Sequence, residues 1–243
     1  MIIQKFGGVC LQNKEMRKLC IKAIRDALTR SNKVIVVVSA IGRKENPYST
    51  DRLLTISDDL QADAKARDLI ASCGELIATA ILSAELHANH IPNTFLQGAQ
   101  TGIQTAEAFG RASIQSIQTP FYEQYFEEYD CIIVPGFQGL NKKGEVMTLG
   151  RGGSDLTAVA LADALQATHV EFYKDVAGIF NADPAINAAC EKYEQLTYDA
   201  FLSSITAENS VLQRKAVMWA KEKAIPLYVK GIASSETGTW IHC

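Results

Sequence analysis

At 243 residues, with 47% hydrophobic and 21% charged side chains, the chain can bury a sizeable core without help from disulfides or a structural metal. A formal net charge of −3 gives no electrostatic reason to bind nucleic acid or anionic lipid, and six cysteines without C-x-x-C spacing read as free thiols of a reducing, cytoplasmic compartment. The longest apolar runs, such as Val34 to Val38, fall short of a membrane span, and the first residues lack the basic and apolar regions of a secretion signal.

In chain order, Ile2 to Gln4 reads as a short strand running into the glycines Gly7 and Gly8. Met16, Leu19, Cys20, Ala23, Ile24, Ala27 and Leu28 then recur at helical spacing. Lys33 to Ser39 is a continuous β-branched run, the pattern of a central strand covered on both faces. A turn-rich stretch at residues 42–51 precedes a long helical region with Leu69, Ile70, Cys73, Leu76, Ile77, Ala80 and Ile81 in step. Short strands fit at Thr94 to Leu96, Cys131 to Val134, Val170 to Tyr173 and Leu227 to Val229, with helices at Ser154 to Leu165 and about Val211 to Lys223. Strands alternating with helices predict an α/β fold, a doubly wound and mainly parallel sheet sandwiched by helices, whose ligands sit beyond the carboxyl ends of the strands. An amino-terminal lobe over about 1–165 and a carboxyl-terminal lobe over about 166–243 are expected within one catalytic domain.

Four segments suit chemistry. In Lys5-Phe6-Gly7-Gly8, glycines between a strand and a helix let backbone N–H groups approach an anion, and a lysine adds a point charge; a tight turn with a surface lysine explains the same residues. Thr148-Leu149-Gly150-Arg151-Gly152-Gly153-Ser154-Asp155 combines a guanidinium with a helix start, where Ser154 or Asp155 also suits a cap. Tyr173 to Pro184 leaves a strand through a loop holding Asp175 and Asp183, and fits either a nucleotide contact or an ordinary surface turn. Glu75, after Gly74, offers a carboxylate to an ammonium or simply to solvent.

Together with Val36-Val37-Val38-Ser39-Ala40, Ser49-Thr50-Asp51, Gln100-Thr101-Gly102-Ile103, Gly136-Phe137-Gln138-Gly139, Ala182-Asp183-Pro184 and Gly238-Thr239, these segments resemble the aspartate kinases of the amino acid kinase family in order and spacing. The resemblance implies phosphoryl transfer from ATP, with Mg2+, to the side-chain carboxylate of aspartate, the first step toward lysine, threonine and methionine. It implies that Lys5 stabilises charge on the transferring group, that Asp155 orients Lys5, and that Gly7, Gly8 and Ser39 line the phosphates. Arg151 would grip a substrate carboxylate and Glu75 the substrate ammonium, with Thr50 and Ser154 beside them. Tyr173, Lys174, Asp175, Phe180 and Asp183 would lie along the nucleotide. The small-molecule substrate and ATP are the partners implied, with a homodimer as the assembly; no regulatory domain is expected after residue 243.

The pattern departs from the family at Val9 and Cys10, where a threonine and a serine are usual, and at Lys174, where a threonine is common. Ala185 replaces an arginine, Glu208-Asn209-Ser210 replaces a Gly-Ala-rich turn, and extra residues surround Lys44 to Tyr48. A kinase for another amino acid or carboxylate, and a relative that binds nucleotide or amino acid without turnover, are the two alternative readings.

Overall fold

The computed structural model describes residues 1–182, 186–187, 189–204 and 211–243. The chain opens with β1 (Ile2–Phe6), α1 (Gly8–Leu11), α2 (Lys14–Arg30), β2 (Val34–Val38), α3 (Thr50–Asp59) and α4 (Ala64–Ala88). It continues through β3 (Thr94–Phe95), β4 (Ile103–Thr105), β5 (Ile114–Ile117), α5 (Pro120–Tyr125), β6 (Cys131–Pro135), β7 (Gln138–Leu140) and β8 (Val146–Thr148). The remainder forms α6 (Gly153–Ala164), β9 (His169–Lys174), β10 (Gln195–Thr197), α7 (Tyr198–Ser204), α8 (Arg214–Glu222), β11 (Leu227–Gly231) and β12 (Thr239–His242).

Eight strands form the main sheet in the order β10-β12-β11-β9-β1-β2-β6-β3, and every neighbouring pair is parallel except β11 with β12. This is the doubly wound, mainly parallel sheet that the alternating pattern predicts. The strands before and after residue 165 meet where β1 pairs with β9, so one sheet spans both halves of the chain. All five residues of β2 are fully buried. At about 1.5 to 3 kcal/mol for each valine or isoleucine taken from water, this strand alone anchors the sheet centre. Alternation sorts the side chains: Ile3, Ile35, Val37, Phe172 and Val229 pack beneath α6 and α8, whereas Ile2, Phe6, Val34, Val36 and Val38 pack beneath α2 and α4.

A second sheet, β5-β4-β7-β8, escapes the sequence pattern because its strands are only three or four residues long, too short for a period to emerge. The long helical region is also divided. Ser49 caps α3 by accepting from the Arg52 amide, Gln61 turns the chain at φ 50°, and Asp63 caps α4 by accepting from the Ala66 amide. By length and composition α4 is apolar enough to cross a membrane, which the sequence reading did not foresee. Its Ala71, Ala78, Leu82 and Leu86 nevertheless lie buried in the core, as befits the core helix of a folded domain.

Asp68, Ser72, Glu75 and Thr79 form a buried polar stripe along α4 at helical spacing. Asp68 accepts from the Thr148 amide at 2.7 Å, the Thr148 hydroxyl at 3.0 Å and the Gly110 amide at 3.0 Å, clamping the end of β8 to the helix. The Ser72 carbonyl accepts from Gln138 Nε2 at 3.1 Å on β7. Replacing Asp68 with alanine strands three donors around one cavity. Asp68→Ala should therefore lose at least about 3 kcal/mol of stability, measured by urea denaturation; a loss under 1 kcal/mol would show that water replaces the carboxylate freely.

Candidate active site

The carboxyl ends of β1, β2 and β9 and the amino-terminal end of α6 converge on one buried charge cluster. Lys5 lies on the central strand, in register with Val37 and Phe172, a position where an ammonium is tolerated only with a partner. The partner is Asp155, the third residue of α6, whose Oδ1 lies 2.8 Å from Lys5 Nζ. Lys174, the last residue of β9, donates to the same carboxylate at 2.9 and 3.1 Å. Its ammonium also lies 5.9 Å above the Phe172 ring. Burial acts to raise the Asp155 pKa, but Lys174 and Lys5 overcome it and hold the carboxyl down at about 2. Burial, together with the neighbouring Lys5 charge, pulls the Lys174 ammonium down to about 8 against the attraction of Asp155. Two ammonium groups facing one carboxylate leave a positive surplus in a water-poor site, which favours a bound anion.

The glycines shape access to that charge. A Cβ on Gly8 would meet the Ala40 and Gly42 carbonyl oxygens at 2.5 and 2.6 Å, so only glycine lets the first loop approach the loop after β2. A Cβ on Gly7 would instead find room, 4.0 Å from Lys5 Nζ, on the side where the lysines stand. The Gly7 amide donates to the Tyr173 carbonyl at 3.2 Å, so this glycine serves the loop's anchorage to β9. Ser39 follows β2, and its amide donates to the Phe6 carbonyl at 3.1 Å. Gly152, at φ 72°, begins α6 without any side-chain cap. Neither Ser154 nor Asp155 takes the capping role: Ser154 packs against Gly136, and Asp155 turns to the lysines.

Glu75 sits on the flank of this cluster. Its Oε1 accepts from the Ala40 amide at 3.0 Å, and its Oε2 is buried without a partner. Burial pushes its carboxyl up to about 8, although the Ala40 amide and Lys5 pull the other way. Gly74, one residue before it, admits the chain at Tyr48 and the Leu53 side chain, bringing Thr50 and the start of α3 alongside. Arg151 is exposed on the turn before α6; its carbonyl accepts from Gln213 Nε2, while its guanidinium has no partner among the described residues.

Around the rim, Asp175 forms an ion pair with Arg43 across two loops. The Tyr173 ring lies on the opposite face of the sheet, stacked on Phe6 at 4.8 Å, with its hydroxyl donating to Glu171. Its carbonyl accepts from Cys10 Sγ at 3.3 Å, which keeps this thiol on the loop's own backbone. Phe180 is half-buried and bridges Lys192 beyond β9. Asp183, Ala185 and Glu208 to Ser210 lie outside the described residues. Sequence reasoning missed the Lys174 pairing with Asp155. Its signal was Lys174 falling two residues after Phe172, on the face of β9 that also carries Val170.

The sequence profile described as the Amino acid kinase family matches residues 1–231. Aspartokinase 1 of Bacillus subtilis is 34% identical over 243 residues, 99% of this chain and 60% of that protein, so the chain spans about three fifths of this relative. The aspartate kinase structure from Synechocystis is 32% identical with a TM-score of 0.84, covering 100% of this chain and 39% of that one. The structure of E. coli aspartokinase III in complex with aspartate and ADP superposes at a TM-score of 0.86 over 100% of this chain and 64% of that one, and at 22% identity it speaks for the fold. A profile match over nearly the whole chain, with Lys5, the glycine loops and Asp155 converging at the strand ends, establishes that the chain belongs to the amino acid kinase family and forms an aspartokinase-like catalytic domain.

Proposed function

We infer that the protein transfers the terminal phosphoryl group of ATP to the side-chain carboxylate of aspartate, giving an acyl phosphate and ADP. The observation that carries this reading is the surplus of buried ammonium at Lys5, Asp155 and Lys174 beside the unpartnered carboxylate oxygen of Glu75. One site is suited to phosphate and the other to an ammonium, which together describe a phosphoryl donor and an amino acid acceptor. An acceptor carboxylate is already ionised at neutral pH, so positioning and charge stabilisation carry the chemistry. An acceptor oxygen attacks the terminal phosphorus, the bond to the bridging oxygen breaks, and ADP leaves with the electron pair. Lys5 stabilises the charge on the transferring group and Asp155 holds Lys5 in place. Arg151 binds the acceptor's other carboxylate, with Thr50 and Ser154 beside it. Gly8 and Ser39 border the phosphates, and the chain from Tyr173 through Phe180 runs along the nucleotide. With no acidic metal cluster among the described residues, Mg2+ fits as an ion held by the nucleotide's own phosphates, whose charge it would neutralise.

Val9 favours a second reading, another amino acid as acceptor, because it presents a half-buried apolar side chain where the family usually has a hydroxyl. A coupled ADP-release assay across a panel of amino acids tests the proposal. Aspartate should give the highest rate, and a different best acceptor would replace it in this reading.

In that assay, Lys5→Ala should reduce kcat by about a hundredfold to a thousandfold, the range for removing one group that stabilises transition-state charge; near-native turnover by the folded variant would remove Lys5 from the chemistry. Arg151→Lys should raise the acceptor KM about tenfold with kcat little changed, because a single ammonium cannot reproduce the planar two-point grip of a guanidinium; an unchanged KM would take Arg151 out of the acceptor site. Glu75 makes acceptor binding depend on pH. Its folded-state pKa near 8 leaves it largely protonated at neutrality, and only the ionised form attracts an ammonium. The acceptor KM should therefore fall as pH rises from 6 toward 8, and Glu75→Gln should flatten that slope; the same slope in the variant would assign it to another group.

A further inference from the structure

The first loop of this chain lacks the donors its family places there, and the structure shows what stands nearby. Val9 cannot donate from its side chain, and the Cys10 thiol is buried and directed to the Tyr173 carbonyl. Burial pushes that thiol up to about 11, so it remains a neutral, weak donor. Directly across, the Lys174 side chain passes Gly7: a Cβ placed on that glycine would lie 4.0 Å from Lys174 Cδ and 4.0 Å from Lys5 Nζ. Lys174 has both carboxylate oxygens of Asp155 within hydrogen-bond distance, while Lys5 approaches Oδ1. The carboxylate balances one of these charges, and the second has no other acidic partner within salt-bridge distance among the described residues.

We propose that Lys174 is a further catalytic residue, a second ammonium that shares the charge of the transferring phosphoryl group with Lys5 and supplies the donor that Val9 and Cys10 do not. This rests on the phosphotransfer reading of the site. As the terminal phosphate enters beside Gly7, the ammonium turns part of its hydrogen bonding from Asp155 to phosphate oxygen while the carboxylate keeps both lysines aligned. Lys174 thus does what loop hydroxyls would do, but with a full charge and from a different strand. Among the described residues the groups facing it are Asp155 on α6, Lys5 on β1 and Cys10 on α1, and burial brings the loss of its proton down to about 8. Only the protonated form can serve a phosphate. The native kcat/KM for ATP should accordingly fall as pH rises through about 8, whereas kcat should hold further upward because bound phosphate retains the proton.

The test compares Lys174→Gln and Lys174→Arg with the native protein, using steady-state ADP release with the best acceptor and calorimetric binding of ATP and AMP. Lys174→Gln should lower kcat about a hundredfold and weaken ATP at least tenfold more than AMP. Lys174→Arg should keep most of the activity and lose the alkaline fall in kcat/KM, because a guanidinium does not titrate there. Adding Val9→Thr with Cys10→Ser should recover at least tenfold in the Lys174→Gln background and much less in the native one. Unchanged kcat in folded Lys174→Gln, ATP and AMP weakened alike, or the same alkaline limb in Lys174→Arg would each overturn the proposal. If Lys174→Gln does not fold, the Lys174→Arg profile decides. If the native protein releases no ADP with any acceptor, the phosphotransfer reading falls, and the ATP-over-AMP comparison then upholds or removes the phosphate contact of Lys174 on its own.

Discussion

The site depends on one carboxylate held between two ammonium groups. Asp155 is buried on the first turn of α6, and Lys5 and Lys174 reach it from β1 and β9, adjacent strands of the sheet. At an effective dielectric of about 20, a contact of this length is worth about 6 kcal/mol of Coulomb attraction, comparable to the several kcal/mol needed to desolvate each ion. The cluster is therefore close to balance, and it is the imbalance of charge, two cations to one anion, that gives it a use. The helix contributes as well, since its positive end faces the same space as the lysines.

Neighbouring residues on β9 divide their work between the two faces of the sheet. Lys174 points toward Asp155, whereas Tyr173 stacks on Phe6 and joins a buried network on the far side. There Glu171 accepts from Gln4 at 2.9 Å and from the Tyr173 hydroxyl at 3.1 Å, and pairs with Arg30 at 2.8 Å. Burial acts against the Glu171 charge, but His169, Arg30 and Gln4 hold its carboxyl at about 2. The network ties β1, β9 and the end of α2 together, so the strand that presents Lys174 is fixed from behind.

Much of the scaffold was legible because its signals are local. The β-branched run at Val34 to Val38, the helical spacing of Met16 to Leu28 and the glycines after β1 each report a single element, and each formed where the pattern indicated. Lys5, Asp155 and Glu75 could be singled out through the family resemblance, since a lone lysine or glutamate carries no mark of its future partner. What stayed hidden depends on contacts between distant segments. The small sheet has strands too short to display alternation, and the Asp68 clamp joins residues 80 positions apart. Lys174 was read as a nucleotide contact through the family resemblance; only the packing of α6 against β1 and β9 shows that it answers the same carboxylate as Lys5.

The polar stripe on α4 makes that helix a ruler. Glu75, proposed to receive the acceptor's ammonium, and Asp68, which fixes the end of β8 ahead of the Arg151 turn, stand seven residues apart on one uninterrupted helix, about 10.5 Å along its axis. The acceptor's ammonium and its non-reacting carboxylate, which an amino acid carries on one carbon, would thereby be referred to a common rigid rod and not to separate loops. An acceptor longer by one methylene would present its reacting oxygen roughly 1 Å out of line, and a displacement of that size costs on the order of a hundredfold in rate. Selection between acceptors that carry the same charged groups would then be made by their length.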